Sequence, residues 1–274
     1  MTYTLIVLGS GQDGGSPQVG SRAHGVVQRT ASSVAIASTL GDPIVFDASP
    51  DLRTQYQLLC QHTRDGVGID GVFITHGHMG HYGGLMHFGR EGAATDRLPL
   101  FASTSVLSFL SGNEPWATLF ALAHLDPVSM DDTIASIGDL TIEAIAVPHR
   151  SEFTDTVAYS VSVRGDPWVL YLPDIDGWDQ WPEAEETVAR HRVSLLDATF
   201  SSTDELPGRD IAQIKHPLVP DTIERFAHLT PDRTIVLTHI NHSNRLGADD
   251  DPFTLMAREH GFTIAYDGLV LEHD

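Results

Sequence analysis

The sequence predicts an α/β protein built as a layered sandwich, with its sheets covered by helices. Short β-branched runs recur along the chain, segments of helical spacing lie between several of them, and many runs end in loops that carry chemically active side chains. The apolar run Thr4-Leu-Ile-Val-Leu8 is the first expected strand, and further strands are expected at 33–37, 44–47, 72–75, 98–102, 140–147, 157–163, 168–172, 194–197 and 235–238. Helices are expected at 51–62, 104–110, 116–122, 183–191, 221–227 and 252–260. The β-rich material divides into halves before and after about residue 150. With no repeat, low-complexity tract or linker between them, residues 1–274 read as a single domain.

A chain of 274 residues that is 41% hydrophobic has enough apolar material for one large core. Sixteen Lys and Arg against 37 Asp and Glu leave a formal charge of −21, a field that repels nucleic-acid phosphates and anionic membranes. A small-molecule substrate is therefore expected rather than a nucleic acid or a membrane, and self-association into a homo-oligomer is left open. The single cysteine, Cys60, permits neither an internal disulfide nor a thiolate cluster and reads as a small core residue on a helix. No basic segment precedes the first apolar run, and no stretch nears the ~18 apolar residues of a membrane span, so a cytoplasmic location is expected.

The first loop, Gly9-Ser-Gly-Gln-Asp-Gly14, matches the dinucleotide pattern G-x-G-x-x-G after a strand, yet it fails the chemistry that pattern needs. Gly15-Ser-Pro17 breaks any following helix, and no Asp or Glu lies between Asp13 and Asp42 to hold a ribose. A tight loop at a strand end remains. The segment Thr75-His-Gly-His-Met-Gly-His81 carries the strongest signal. His76 and His78 share the side-chain direction of i and i+2 strand residues, so they are expected to converge on one ion, with His81 reaching that ion or a neighbour from the next turn. Imidazole suits Zn and other transition metals. His149, Asp174 and His239 each close an apolar strand pattern, where loops of layered α/β proteins place their chemistry, and these are the further ligands expected.

At these residues the chain resembles the metallo-β-lactamase-fold superfamily, whose signature is H-x-H-x-D-H followed by a distant His, Asp and His. Within it, the chain is most similar to the branch of the pyrroloquinoline quinone biosynthesis protein B. The similarity lies in Gly9 to Gln18, Asp47-Ala-Ser-Pro-Asp-Leu-Arg53, His76 to Leu85, Gly89-Arg-Glu91, Pro173-Asp-Ile-Asp-Gly-Trp178, Leu196-Asp-Ala-Thr-Phe200 and His239-Ile-Asn-His-Ser-Asn244. The resemblance implies an αββα four-layer sandwich, the metallo-β-lactamase fold, with metals at one edge. It implies His76, His78 and His149 around a first metal and His81, Asp174 and His239 around a second, with Asp174 able to bridge. Gly80 stands where the signature has aspartate, so the second ion is expected to bind more weakly and a one-metal enzyme is compatible with the pattern. Asp13, Asp176 and His242 are alternatives for what Gly80 removes. Gly20-Ser-Arg-Ala-His24 stands where some relatives have a cysteine cluster, and no structural zinc is expected there.

Zn2+ is the expected ion, with Fe2+ and Mn2+ as alternatives. Three neutral imidazoles leave such an ion most of its charge, so bound water falls from a pKa of ~16 toward ~7 and supplies hydroxide at neutral pH. Asp174 is a candidate to orient that hydroxide or take its proton. His239 and His242 are candidates to donate to a leaving group or steady an oxyanion. The leading expectation is a metal-dependent hydrolase of a small ester, lactone, amide or phosphodiester. The alternatives are an iron-dependent oxygenase or cofactor-biosynthesis protein of the pyrroloquinoline quinone type, which the resemblance implies, and a non-catalytic metal-binding scaffold. Asp197 and His216 resemble ligand-orienting positions of ribonuclease Z-like relatives, Arg150 is expected to pair with a nearby carboxylate, and Asp249-Asp-Asp251 is expected to be a solvated turn.

Overall fold

In β1 (Tyr3–Gly9), Leu5 and Val7 point into one core while Ile6 and Leu8 point into another. This follows from the two-residue period of a strand, and it explains why the run reads as continuously apolar: both faces are buried. The computed structural model describes residues 2–21, 26–206, 208 and 211–273, the side chain of Ala212 excepted, so His24 lies outside the described residues. The further strands are β2 (Ser33–Ser38), β3 (Ile44–Phe46), β4 (Gly71–Phe73), β5 (Leu98–Ala102), β6 (Leu125–Ser129), β7 (Ile134–Ile137), β8 (Leu140–Ala146), β9 (Val157–Val163), β10 (Asp166–Leu172), β11 (Val193–Asp197), β12 (Thr234–Thr238), β13 (Thr263–Ile264) and β14 (Val270–His273). Among the described residues they form two seven-stranded sheets, ordered β14-β1-β2-β3-β4-β5-β6 and β13-β12-β11-β10-β9-β8-β7.

The inner faces of both sheets meet in one core, which includes Phe46, Phe73, Tyr159, Trp168 and Tyr171. Phe73 stacks on Phe101 at 4.3 Å and on Phe46 at 4.9 Å, and meets the edge of Tyr159 at 5.4 Å. The helices are α1 (Leu52–His62), α2 (Met79–Tyr82), α3 (Thr104–Ser111), α4 (Trp116–Ala121), α5 (Ala184–Arg190), α6 (Val219–Phe226) and α7 (Pro252–Glu259). Leu52 and Leu59 of α1, Val106 and Leu110 of α3 and Leu119 of α4 cover the outer face of the first sheet. Ala184 and Val188 of α5, Ile223 and Phe226 of α6 and Ala257 of α7 cover the second. The result is helix, sheet, sheet, helix, the four-layer sandwich expected.

Two expectations are corrected. The chain passes between the sheets after β6, before residue 150, and β14 then returns to the first sheet beside β1. Strand order along the chain does not reveal sheet membership, because pairing is settled by contacts distant in sequence. Asp251 is also not part of a solvated turn: it is buried and caps α7, its carboxylate accepting from Thr254 N at 2.8 Å. Cys60 is half-buried on α1, and Trp168, Trp178 and Trp181 are buried in packing.

Strand direction positions the site. β3, β4 and β5 run parallel, β1 runs with β3 through two antiparallel steps, and β10, β11 and β12 run parallel. β8 runs with β10 through two antiparallel steps. The carboxyl ends of β1, β4, β8, β10, β11 and β12 therefore open on one edge, and the loops carrying Asp13, the His76 to His81 segment, His149, Asp174, Asp197 and His239 follow those ends.

Candidate metal centre

β4 stops at Phe73, so His76 and His78 do not lie on a strand as expected; a loop and the start of α2 bring them together instead. Thr75 N donates to Asp47 Oδ1 at 2.9 Å, His76 bridges to Thr156, and Gly77 N donates to Thr154 Oγ1 at 2.8 Å. A side chain on Gly77 would strike Thr154, since its Cβ would lie 2.7 Å from Cγ2. His78 sits at the N-cap of α2, which places His81 one turn further on.

His76 Nε2 lies 2.8 Å from His78 Nδ1, and these two rings form one ligand-sized group with His149. His81 joins His76 and Asp174 in a second group, and His81, His239 and Asp13 form a third. Asp174 links them: its Oδ1 lies 3.5 Å from His149 Nε2, and its Oδ2 lies 3.1 Å from His81 Nε2 and 3.2 Å from His239 Nε2. Of the expected site residues, His76, His78, His81, His149, Asp174 and His239 thus converge. Among the described residues, His242 belongs to none of these groups; its backbone N–H donates to Asn241 Oδ1 at 2.8 Å. Asp176 lies behind His149, 3.2 Å from Nδ1, and accepts from Arg150 N at 2.9 Å. The Arg150 side chain approaches Glu152 at 3.8 Å, the carboxylate pairing expected of it.

The polar faces of this cluster are unsatisfied. His81 Nε2, His149 Nε2, His239 Nε2, Asp174 Oδ2 and Asp13 Oδ1 are buried and make no hydrogen bond, although they crowd one another. Buried polar atoms are normally paired, so five orphans spread over these adjoining ligand-sized groups fit bound cations. Imidazole nitrogens and carboxylate oxygens are the donor set that zinc and its neighbours take.

The far sides of two of the rings are held. His81 Nδ1 lies 2.7 Å from Asp47 Oδ2, and His239 Nδ1 lies 2.8 Å from Thr199 Oγ1. Such partners fix tautomer and ring orientation. Asp47 at φ 60 and His239 at φ 59 adopt the left-handed backbone region, strain of the kind that gathers at functional sites.

Burial pushes His76 well below the usual imidazole range and brings His149 to about 4, the latter against the pull of Asp174; burial also lowers His239 against the same carboxylate. These rings are neutral at pH 7, the state a metal requires. Burial opposes charge on Asp174, but His239 and then His81 hold it well below the carboxylate range. Burial likewise opposes charge on His81, yet Asp47 and then Asp174 keep it well above the imidazole range.

Sequence reasoning gave His216 only an orienting role. Its Nδ1 lies 2.7 Å from Asp197 Oδ2, both side chains are buried, and its Nε2 is unpaired. The ring stands 5.4 Å from that of His149 and 5.6 Å from that of His239. Asp197 also accepts from Ile175 N at 3.1 Å and Thr199 N at 3.0 Å, tying together the loops that carry Asp174 and His239. The Leu196-Asp-Ala-Thr-Phe200 motif is the sequence signal for Asp197; His216 has none beyond its following proline.

Comparison with known proteins agrees with this architecture. The coenzyme PQQ synthesis protein B of Methylorubrum populi is 26% identical, over 98% of this chain and 99% of its own. The solved structure of Zn(2+)-bound PqqB from Methylobacterium extorquens matches with a TM-score of 0.82 at 23% identity, covering 98% of this chain and 99% of that one. A diphosphatase from the PhnP family matches with a TM-score of 0.73 at 22% identity, covering 100% and 98%. The beta-lactamase superfamily domain model matches residues 43–240, a span that holds both sheets' central strands and every converging histidine. With the four layers and the histidine edge described above, that match makes the chain a member of the beta-lactamase superfamily.

Proposed function

We propose that the chain is a metal-dependent hydrolase of a small ester, lactone, amide or phosphodiester. The observation that carries this reading is the convergence of His76 Nε2, His78 Nδ1 and His149 Nε2 with Asp174, where the first two nitrogens have only each other as partners and His149 Nε2 and Asp174 Oδ2 have none. His76, His78 and His149 would hold a first ion, and His81, Asp174 and His239 a second, with Asp174 between them. Zn2+ best fits three imidazoles and a carboxylate, and the PqqB structure named above holds zinc. Bound there, a divalent ion supplies Lewis-acid activation of water, from a pKa of ~16 toward ~7.

The chain's own residues supply the rest. Asp174, ionised in spite of its burial with the charged His81 ring 3.1 Å away, orients the attacking water and is the carboxylate that receives its proton. His216, whose proton affinity Asp197 raises above the ordinary imidazole value against the effect of its burial, stands on the side of the cluster facing His149 and His239. Its free Nε2 is the atom best placed to protonate a leaving group. His239 is a ligand in this reading, and His242 has no part in the proton path. Phe153, exposed and 6.4 Å from the His78 ring, and Met79, exposed and next to His78 in the chain, offer apolar surface near the cluster that suits a small organic substrate. Nucleic acid and membrane surface have no place in this reading, in keeping with the charge of −21.

A second reading, an iron-dependent oxygenase or a step in pyrroloquinoline quinone maturation, is favoured by the similarity to PQQ synthesis protein B across 98% of the chain. Metal analysis of protein purified without added metal, joined to a panel of ester, lactone and phosphodiester substrates, separates the two. Zinc or manganese with turnover that needs no oxygen supports the hydrolase; iron with oxygen-dependent turnover replaces it. His78→Ala should abolish first-ion retention and turnover together, and unimpaired activity in that variant would remove the proposal.

A further inference from the structure

The space beside His81 that Gly80 leaves open is filled by a residue from the opposite end of the amino-terminal half. A Cβ on Gly80 would overlap Asp13 Oδ1 and lie 2.5 Å from the Asp13 Cα. Gly80 is thus a requirement for the approach of Asp13. We infer that Asp13 supplies the second ion's own carboxylate, from the loop after β1, in place of a side chain at position 80. The inference rests on the metal reading above.

Three observations converge on it. The Asp13 side chain is 36% exposed, yet its Oδ1 is buried, unpaired and 3.2 Å from His81 Nε2. That oxygen forms one ligand-sized group with His81 and His239, whose own Nε2 atoms are unpaired and whose side chains are 1% and 0% exposed. The loop is also pinned in register with His239: Gln12 N donates to Ile240 O at 3.0 Å and Ile240 N donates to Ser10 O at 2.9 Å. On its other side, Gly11 N donates to Thr30 O at 2.8 Å and Ser32 Oγ to Gly11 O at 2.8 Å. Asp176 and His242 offer no such approach, the first lying behind His149 and the second outside every group.

The charge balance changes accordingly. Asp13 and Asp174 face the second position together with His81 and His239, so the weaker second ion expected from Gly80 alone is no longer expected. A carboxylate introduced at position 80 would collide with the one already present.

The test is Zn2+ titration of the whole chain in competition with a chromophoric chelator, with metal content read after desalting. The unmodified chain is expected to take two Zn2+. Asp13→Ala is expected to keep the first and weaken the second by more than about 100-fold, beyond the roughly 10–100-fold lost with an outer partner. Gly80→Ala places a Cβ where the carboxylate sits and should lose the second ion likewise. Combining the two should add little, since both remove one contact. Asp13→Asn, which preserves shape, guards against a folding defect and should weaken the second ion by at least about tenfold with the first intact. Unaltered affinity for the second ion in Asp13→Asn and Asp13→Ala overturns the inference and leaves the metal reading standing. An unmodified chain that takes one ion overturns the inference and the second position while the first-ion reading stands, and one that takes none overturns both.

Discussion

Asp47 Oδ2 lies 2.7 Å from Nδ1 of His81, and the two side chains are 0% and 1% exposed. The same carboxylate accepts from Thr75 N at 2.9 Å, Thr75 Oγ1 at 3.0 Å and Tyr171 OH at 3.0 Å, so it is fully satisfied while it turns His81 Nε2 toward Asp174 and Asp13. Asp47→Asn, similar in shape, should lower affinity at the ion His81 serves by about 10–100-fold, measured by chelator competition. Asp47→Ala leaves His81 buried without its partner and should cost about 3–5 kcal/mol in denaturant unfolding. Native affinity and stability in both variants would end the claim that Asp47 orients His81.

Metal uptake should release a proton. In the metal-free chain, Asp47 and then Asp174 keep His81 protonated near neutral pH in spite of its burial, and a ligand nitrogen must be bare. A raised folded-state pKa contributes stability that is present below the unfolded imidazole value of about 6.5 and lost as pH rises through the folded value. The metal-free chain therefore loses this contribution on the alkaline side, while affinity for the second ion rises with pH. Zn2+ calorimetry in buffers of different ionisation enthalpy should show about one proton released for the second ion near pH 7. Uptake without proton release contradicts the assignment of His81.

His216→Gln should lower kcat by about 10²–10⁴-fold with both ions retained, as expected when a general acid is removed. The loss should shrink for a substrate whose leaving group is p-nitrophenolate, which departs without a proton. An equal loss with both kinds of leaving group would assign His216 a structural role beside Asp197.

Phe73 stands between Phe101 and Phe46, at 4.3 and 4.9 Å, in the layer joining the two sheets. Phe73→Ala should cost about 3–5 kcal/mol, and Phe73→Leu less, in equilibrium unfolding. A cost under about 1 kcal/mol for the alanine variant would mean that this layer does not hold the sandwich together.

The inner strands were legible because both their faces are buried, which produces apolar runs such as those of β1 and β10. The four strands that sequence patterning missed, β6, β7, β13 and β14, are the four edges of the two sheets. An edge strand has one unpaired side and tolerates polar and proline residues, as Asp126 and Pro127 in β6 show. The short helix α2 was missed for want of length, although its His78 cap and His81 were singled out.

The sequence by itself determined the layered α/β class, the superfamily and six residues that converge, because period-two burial and the order of histidines are properties of the chain read locally. Only the tertiary structure decided which strands share a sheet, that Asp47 stands behind His81, that His216 faces the cluster, and that Asp13 fills the space left by Gly80. Each of those is a contact between residues brought together by the packing of two sheets, and neither spacing nor composition encodes a distance across that interface.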